Sequence, residues 1–225
     1  MASMSISAFP TLVNTDFFKP GSLAEARSRL GLSHDAIIIV ALGRICWVKG
    51  WDLILEAASR LAKNGVPKIE TIFVGDGEDR ERLQQLARSL SLESRVKVTG
   101  FVPQELVLDY INAASICVVG SHAEGWSLAM LEMIACGKAV VTTNVSGAGD
   151  LVVNDQNGFV VMSRDPDHFA SAVERALRIQ HPERCSVAIA QRFSTSSLKH
   201  RLDQIWPVIS GSPVHCPPER RMTRP

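Results

Sequence analysis

Short, almost wholly apolar runs recur along the chain at 37–42, 69–74, 96–99, 116–119, 139–142 and 159–161, rich in Val and Ile. A strand with one wet face alternates apolar and polar positions, so runs apolar throughout predict strands covered on both faces. Between them, apolar residues spaced by three and four predict helices over 51–63, 79–89, 106–113 and 127–136, with 167–178 following the last strand. In the first of these, Leu53, Ile54, Ala57, Ala58 and Leu61 share a face, and Gly65 stands just past the end as a stop. Strand and helix alternating every 20 to 30 residues or so build βαβ units, whose right-handed crossovers lay down a parallel sheet between two helical layers. The expected fold class is α/β: a doubly wound, Rossmann-like parallel sheet of about six strands. A lead-in over 1–35, one domain over 36–209 and a disordered tail over 210–225 complete the expected organisation. The tail SGSPVHCPPERRMTRP replaces any hydrophobic period with four prolines and three arginines.

Composition narrows the function classes. The 225 residues are 46% hydrophobic and 21% charged, with a formal net charge of +1, which excludes a general polyanion binder. The longest apolar run falls far short of the roughly 20 residues that cross a bilayer, and the first 20 residues carry no basic and apolar leader pattern. The expected location is cytoplasmic with no transmembrane segment, and no nucleic-acid partner is expected. Arg220, Arg221 and Arg224 offer a peripheral contact to anionic lipid, or simply a solvated tail. Cys46, Cys117, Cys136, Cys185 and Cys216 form no C-x-x-C pair and are odd in number, so they read as small core residues rather than a disulfide framework or a zinc site.

In a doubly wound sheet the ligand sits beyond the carboxyl ends of the strands, so chemistry is sought in the loops that follow them. After the first strand, Arg44 and Lys49 flank a turn that opens a helix in Gly43-Arg44-Ile45-Cys46-Trp47-Val48-Lys49-Gly50. Two permanent cations beside free helix N–H groups suit a diphosphate, although an arbitrary Arg and Lys are more often solvated surface charges, and context must decide. Val74-Gly75-Asp76-Gly77-Glu78 is a tight turn that lets another molecule approach the backbone. Gly100-Phe101-Val102-Pro103 offers an apolar pair to shelter a flat base, or places Phe101 in the core. After the fourth strand come two carboxylates eight positions apart, Glu124 in the loop and Glu132 about 1.5 turns into the helix. Glu124 would face the pocket mouth and Glu132 its wall, where vicinal ribose hydroxyls would satisfy a carboxylate set among apolar residues. The N–H groups around Trp126, Ser127 and Leu128 are placed to receive a phosphate. His122 beside Glu124 reads as an exposed loop histidine rather than a general base. Gly147-Ala148-Gly149-Asp150 lacks the third glycine of a dinucleotide fingerprint, and Walker, H-E-x-x-H and G-x-S-x-G motifs are absent from the sequence.

The ordered series G-R-x5-K-G, V-G-D-G, G-F-V and E-G-W-S-L-A-M-L-E-M-I-A-C-G-K-A-V-V-T-T-N resembles the C-terminal, donor-binding domain of GT-B glycosyltransferases, family 4 (group 1) in particular, from about Asn14 to Ile209. The resemblance implies retaining transfer of a sugar from a nucleotide-diphosphate donor to a hydroxyl acceptor, with no cofactor and no bound metal. It implies that Glu124 meets the transferred sugar and Glu132 the ribose of the E-x7-E pair. Arg44 and Lys49 would neutralise the leaving diphosphate, and the backbone at Phe101 and Val102 would meet the base; Gly43, Gly75, Gly125, Trp126, Ser127 and Leu128 complete the implied site. The family's usual Gly-Gly-x-Pro-Glu turn is replaced here by Gly147-Ala148-Gly149-Asp150. Full members also carry an N-terminal domain that supplies most of the acceptor site, so the expected partners are a nucleotide sugar, an unknown hydroxyl acceptor, and an acceptor-domain protein or a second copy. The apolar face of 196–209, with Leu198, Leu202, Ile205 and Trp206, needs such a cover or folds back. The alternatives are a non-catalytic nucleotide-sugar binder or inactive paralogue, and an unrelated doubly wound protein that binds another phosphate compound.

Overall fold

The structure, a computed structural model, describes residues 11–199. Six strands, β1 (Ile37–Leu42), β2 (Ile69–Val74), β3 (Val96–Val98), β4 (Ile116–Val119), β5 (Val140–Thr143) and β6 (Gly158–Val161), form one sheet in the order β3-β2-β1-β4-β5-β6. Every neighbouring pair is parallel. The expected doubly wound sheet is therefore present, with each strand within a residue of its sequence-based bounds.

Eight helices cover it: α1 (Leu23–Leu30), α2 (Trp51–Lys63), α3 (Arg80–Ser89), α4 (Gln104–Ala113), α5 (Leu128–Ala135), α6 (Ala148–Leu151), α7 (Pro166–Ala176) and α8 (Pro182–Arg192). The pleat sorts β1 between two cores. Ile38 and Val40 point into the layer shared with Met130, Leu131 and Ile134 of α5, whereas Ile39 and Ala41 point into the layer shared with Leu53, Leu55 and Leu61 of α2 and Phe169 of α7. Both faces of the central strands are buried, which is why they carry no polar alternation, whereas edge strand β3 exposes Lys97 between Val96 and Val98. No helix among the described residues is long and apolar enough to cross a membrane.

Residues 11–35, expected as a lead-in, pack onto the domain. The Val13 N–H donates to the Phe193 carbonyl at 3.0 Å, and Phe18 and Ala26 are buried. Helix α1 escapes an apolar-period search because its buried face carries a charge: Arg27 is 3% exposed and donates to the carbonyls of Ala113 and His34 at 3.0 and 2.8 Å and to Ser115 Oγ at 2.9 Å. Its ends were legible, since Ser22 Oγ accepts the Glu25 N–H and Gly31 closes the helix in the left-handed region. Ser22→Ala should cost about 1 kcal/mol in chemical denaturation, the usual loss for an N-cap hydroxyl. Cys117 and Cys136 are buried in the sheet layer, and burial lifts the Cys117 thiol to about 12 and that of Cys136 in the same direction, so neither is a nucleophile at neutral pH. Residues 195–199 are helical. The rest of the segment expected over 196–209, the expected tail over 210–225 and Cys216 lie outside the described residues.

Candidate active site

Strand order reverses between β1 and β4: the chain leaves β1 toward β2 and β3, then returns to pair β4 on the opposite side. The loops after β1 and β4 thus diverge from neighbouring strand ends and open a crevice. Two close backbone approaches fix its shape. Gly50, at φ 60° between a 3₁₀ turn (Trp47–Lys49) and α2, lies so near β4 that a Cβ would sit 1.9 Å from the Gly120 carbonyl oxygen. Gly75, at φ 144°, approaches Gly43 in the same manner, with 2.1 Å left for a Cβ.

The crevice has two connected chambers that share Leu42, Gly43, Arg44 and Ala129. The inner one, about 30 Å³, is walled by Lys49, Ser121, Glu124 and Ser127. Lys49 Nζ donates to Glu124 Oε1 at 2.7 Å, and Ser121 Oγ donates to the same oxygen at 2.6 Å. Ser121 is itself held by Thr143, whose hydroxyl donates to the Ser121 carbonyl at 2.6 Å from the end of β5. Glu124 is therefore not at the mouth as expected: its side chain is only 10% exposed, drawn inward by the ammonium and the hydroxyl.

The outer chamber, about 640 Å³, is ample for a nucleoside and its phosphates. Val74, Val102 and Val107 give it an apolar wall, Phe101 stands on its rim 91% exposed, and Glu132 enters from α5. Phe101 is thus not a core residue. Burial among apolar neighbours pushes the Glu132 carboxyl up to about 7. Arg44 Nε donates to Glu78 Oε2 at 3.0 Å, both side chains lining the chamber while largely exposed.

At the head of α5, Ser127 is the N-cap, its Oγ accepting the Met130 N–H at 3.3 Å, so the N–H groups of the next residues open toward the crevice. Gly43, Arg44, Lys49, Gly75, Phe101, Val102, Glu124, Ser127 and Glu132 are brought together as expected. Gly125 and the side chains of Trp126 and Leu128 do not line the crevice, although the Leu128 N–H stands at the head of α5. Gly125 and Leu128 face solvent, and the Trp126 ring turns inward onto Phe193, 5.4 Å between centroids, and lies over Gly147. A large ring so close to the helix start is drawn to apolar cover rather than to the wet crevice. His122 also departs from expectation: it is half-buried, stacked at 4.3 Å on Trp47, and its pKa is lowered by burial and by Arg164, against the pull of Asp52. Ser121, Glu78, Val107 and Ala129 line the crevice without having been singled out in the sequence. Glu78, Ser121 and Ala129 had a signal, each lying within a segment already marked for chemistry, and Val107 had none.

Comparison with known proteins gives the family and the fold. Residues 24–192 match the family described as Glycosyl transferases group 1. The chain is 34% identical over 177 residues to a D-inositol 3-phosphate glycosyltransferase of Frankia alni, covering 75% of the chain and 44% of that protein. Among solved structures it resembles a sucrose-phosphate synthase of Thermosynechococcus elongatus, with a TM-score of 0.79, 26% identity, and 88% and 51% of the two chains covered. It also resembles Anabaena HepE in complex with UDP, with a TM-score of 0.75, 22% identity, and 87% and 55% covered. The chain spans about half the length of these relatives.

Proposed function

The chain belongs to the group 1 glycosyltransferase family, and from that premise we propose that it is the donor domain of a retaining, family 4 type glycosyltransferase that binds a nucleotide-diphosphate sugar and passes the sugar to a hydroxyl acceptor. The observation that carries this reading is the Lys49 ammonium paired with Glu124 at the switch point of the sheet, one chamber away from a Glu132 carboxylate raised by burial. A nucleotide sugar has the complementary parts in the same order: base against Val102 and Phe101, ribose hydroxyls to Glu132, diphosphate to Arg44, Lys49 and the head of α5, and sugar hydroxyls to Glu124. The UDP held by the HepE structure is of this ligand class.

In the transfer, the bond between the sugar carbon and the diphosphate oxygen breaks and its electron pair stays on the phosphate. Arg44 and Lys49 stabilise that growing charge, and the acceptor hydroxyl loses its proton to the departing phosphate oxygen as the new glycosidic bond forms. Because two permanent cations supply the countercharge, the reading requires no resident metal. The acceptor half of the cleft we assign to a further domain or a partner chain, in keeping with the share of its relatives that this chain spans.

Calorimetric titration with UDP, GDP, ADP and their common sugar conjugates tests the reading. One conjugate should bind selectively, and Lys49→Ala should weaken it about tenfold, the usual worth of one charge-assisted hydrogen bond. Equal binding of simple phosphates, or no loss in Lys49→Ala, would refute the assignment. Selective binding without transfer to any acceptor, with or without an added acceptor domain, would favour the non-catalytic binder.

A further inference from the structure

Arg44 is the one cation shared by both chambers, and its guanidinium is engaged within the protein. Its Nε donates to Glu78 Oε2 at 3.0 Å, and both side chains line the outer chamber. Both side chains are largely exposed, 70% and 56%, but their backbones are not free to drift apart. The loops that carry them are tied by their backbones: the Ile45 N–H donates to the Asp76 carbonyl at 2.8 Å, and the Asp79 N–H to the Ile45 carbonyl at 3.1 Å. One residue on either side of these bonds, Arg44 and Glu78 are held facing each other. On the neighbouring position Asp76 does not compete for Arg44, because its two oxygens accept the Gly77 N–H and Arg80 NH1, each at 2.9 Å.

A carboxylate opposite the diphosphate-binding arginine works against a dianionic ligand in two ways: it must surrender the guanidinium, and it repels the phosphates. Resting on the reading of this crevice as a nucleotide-diphosphate site, we propose that Glu78 competes with the diphosphate for Arg44, so that the diphosphate binds by displacing a carboxylate from Arg44 and is released as that pair re-forms. The effect opposes binding. A residue that merely shaped the loop would weaken binding when replaced, whereas removing this carboxylate strengthens it.

The test titrates the full chain and its Glu78→Gln, Arg44→Ala and doubly substituted variants with UDP, GDP and ADP, and with the uncharged nucleoside of whichever binds best. Glu78→Gln should bind the preferred diphosphate about three- to tenfold tighter at low ionic strength, as expected for freeing one exposed ion pair and one like charge. The gain should shrink at high salt, be absent for the nucleoside, and vanish when Arg44 is already alanine. Unchanged thermal unfolding in Glu78→Gln would confirm that the loop is intact. Equal or weaker binding by Glu78→Gln overturns the proposal, as does a gain that survives in the Arg44→Ala background, because Glu78 would then act on the ligand alone. A parent chain that binds none of the diphosphates overturns the nucleotide reading itself, and this inference with it.

Discussion

Replacing Glu132 by glutamine is expected to make the empty protein more stable and its nucleotide complex weaker. Burial raises the Glu132 carboxyl from 4.5 to about 7. The unfolded chain therefore releases this proton near 4.5 and the folded chain near 7, so between those values the unfolded state binds fewer protons and stability falls as pH rises. Glutamine is exempt from that loss. The two proteins should be equally stable below about pH 4.5, separate as pH rises to about 7, and stay apart above it. Partial solvent access reduces the full electrostatic value, leaving on the order of 1–3 kcal/mol, or roughly 5 °C in melting temperature for a domain of this size. Nucleotide binding moves the other way. If, as proposed, the ionised carboxylate accepts two ribose hydroxyls, its replacement by a neutral amide should lower affinity about 30- to 100-fold. Binding by the parent chain should strengthen as pH rises through about 7, while binding by the variant should lack that dependence. Scanning calorimetry at pH 5 and pH 8 beside titration calorimetry reads both effects; a variant less stable at pH 8 would refute the electrostatic account of this side chain.

The second large effect is expected at Gly50. Gly50→Ala places a methyl group 1.9 Å from the Gly120 carbonyl oxygen and 2.9 Å from the Arg164 guanidinium, at a φ of 60° that itself disfavours a side chain. Arg164 can swing aside. The carbonyl cannot, because it belongs to the backbone that leads β4 into the Glu124 loop. The two loops must part, costing about 3–5 kcal/mol and separating Lys49 from Glu124, so that nucleotide binding is lost with stability. Gly65→Ala is the matched control: φ is 83° there, but nothing lies within 4 Å of the added carbon. It should cost only about 1 kcal/mol. Urea midpoints of the two variants separate clash from conformational strain, and similar losses would show that the Gly50–Gly120 contact is unimportant.

Much of this architecture was legible in the sequence because both faces of the sheet are buried. Val- and Ile-rich runs marked all six strands, interrupted by a charge only at Glu70 and Lys97, and the loops after them held most of the crevice. What escaped detection did so for identifiable reasons. Helix α1 buries Arg27 among carbonyl oxygens, so the residue that anchors it reads as a surface charge. The inward turn of Trp126 depends on Phe193 and Gly147, which are distant in sequence and offer no local signal. The depth of Glu124 is set by Ser121 and Lys49 together, one from each lip of the crevice. Spacing placed the two carboxylates on a loop and a helix; only the fold decides which of them meets a cation.

The juxtaposition of β1 and β4 also governs when the crevice comes into being. Lys49 and Glu124 are 75 positions apart, with β2 and β3 between them. A nascent chain that has delivered β1 to β3 holds one lip of the pocket and nothing to close it against. Entropy makes such long-range closure a slow step, gained only when β4 docks on β1 through Ile39 and Val40. On the proposed reading a nucleotide can be held only once β4 has docked on β1, and ligand present during synthesis can reward only molecules that have already completed the central pairing.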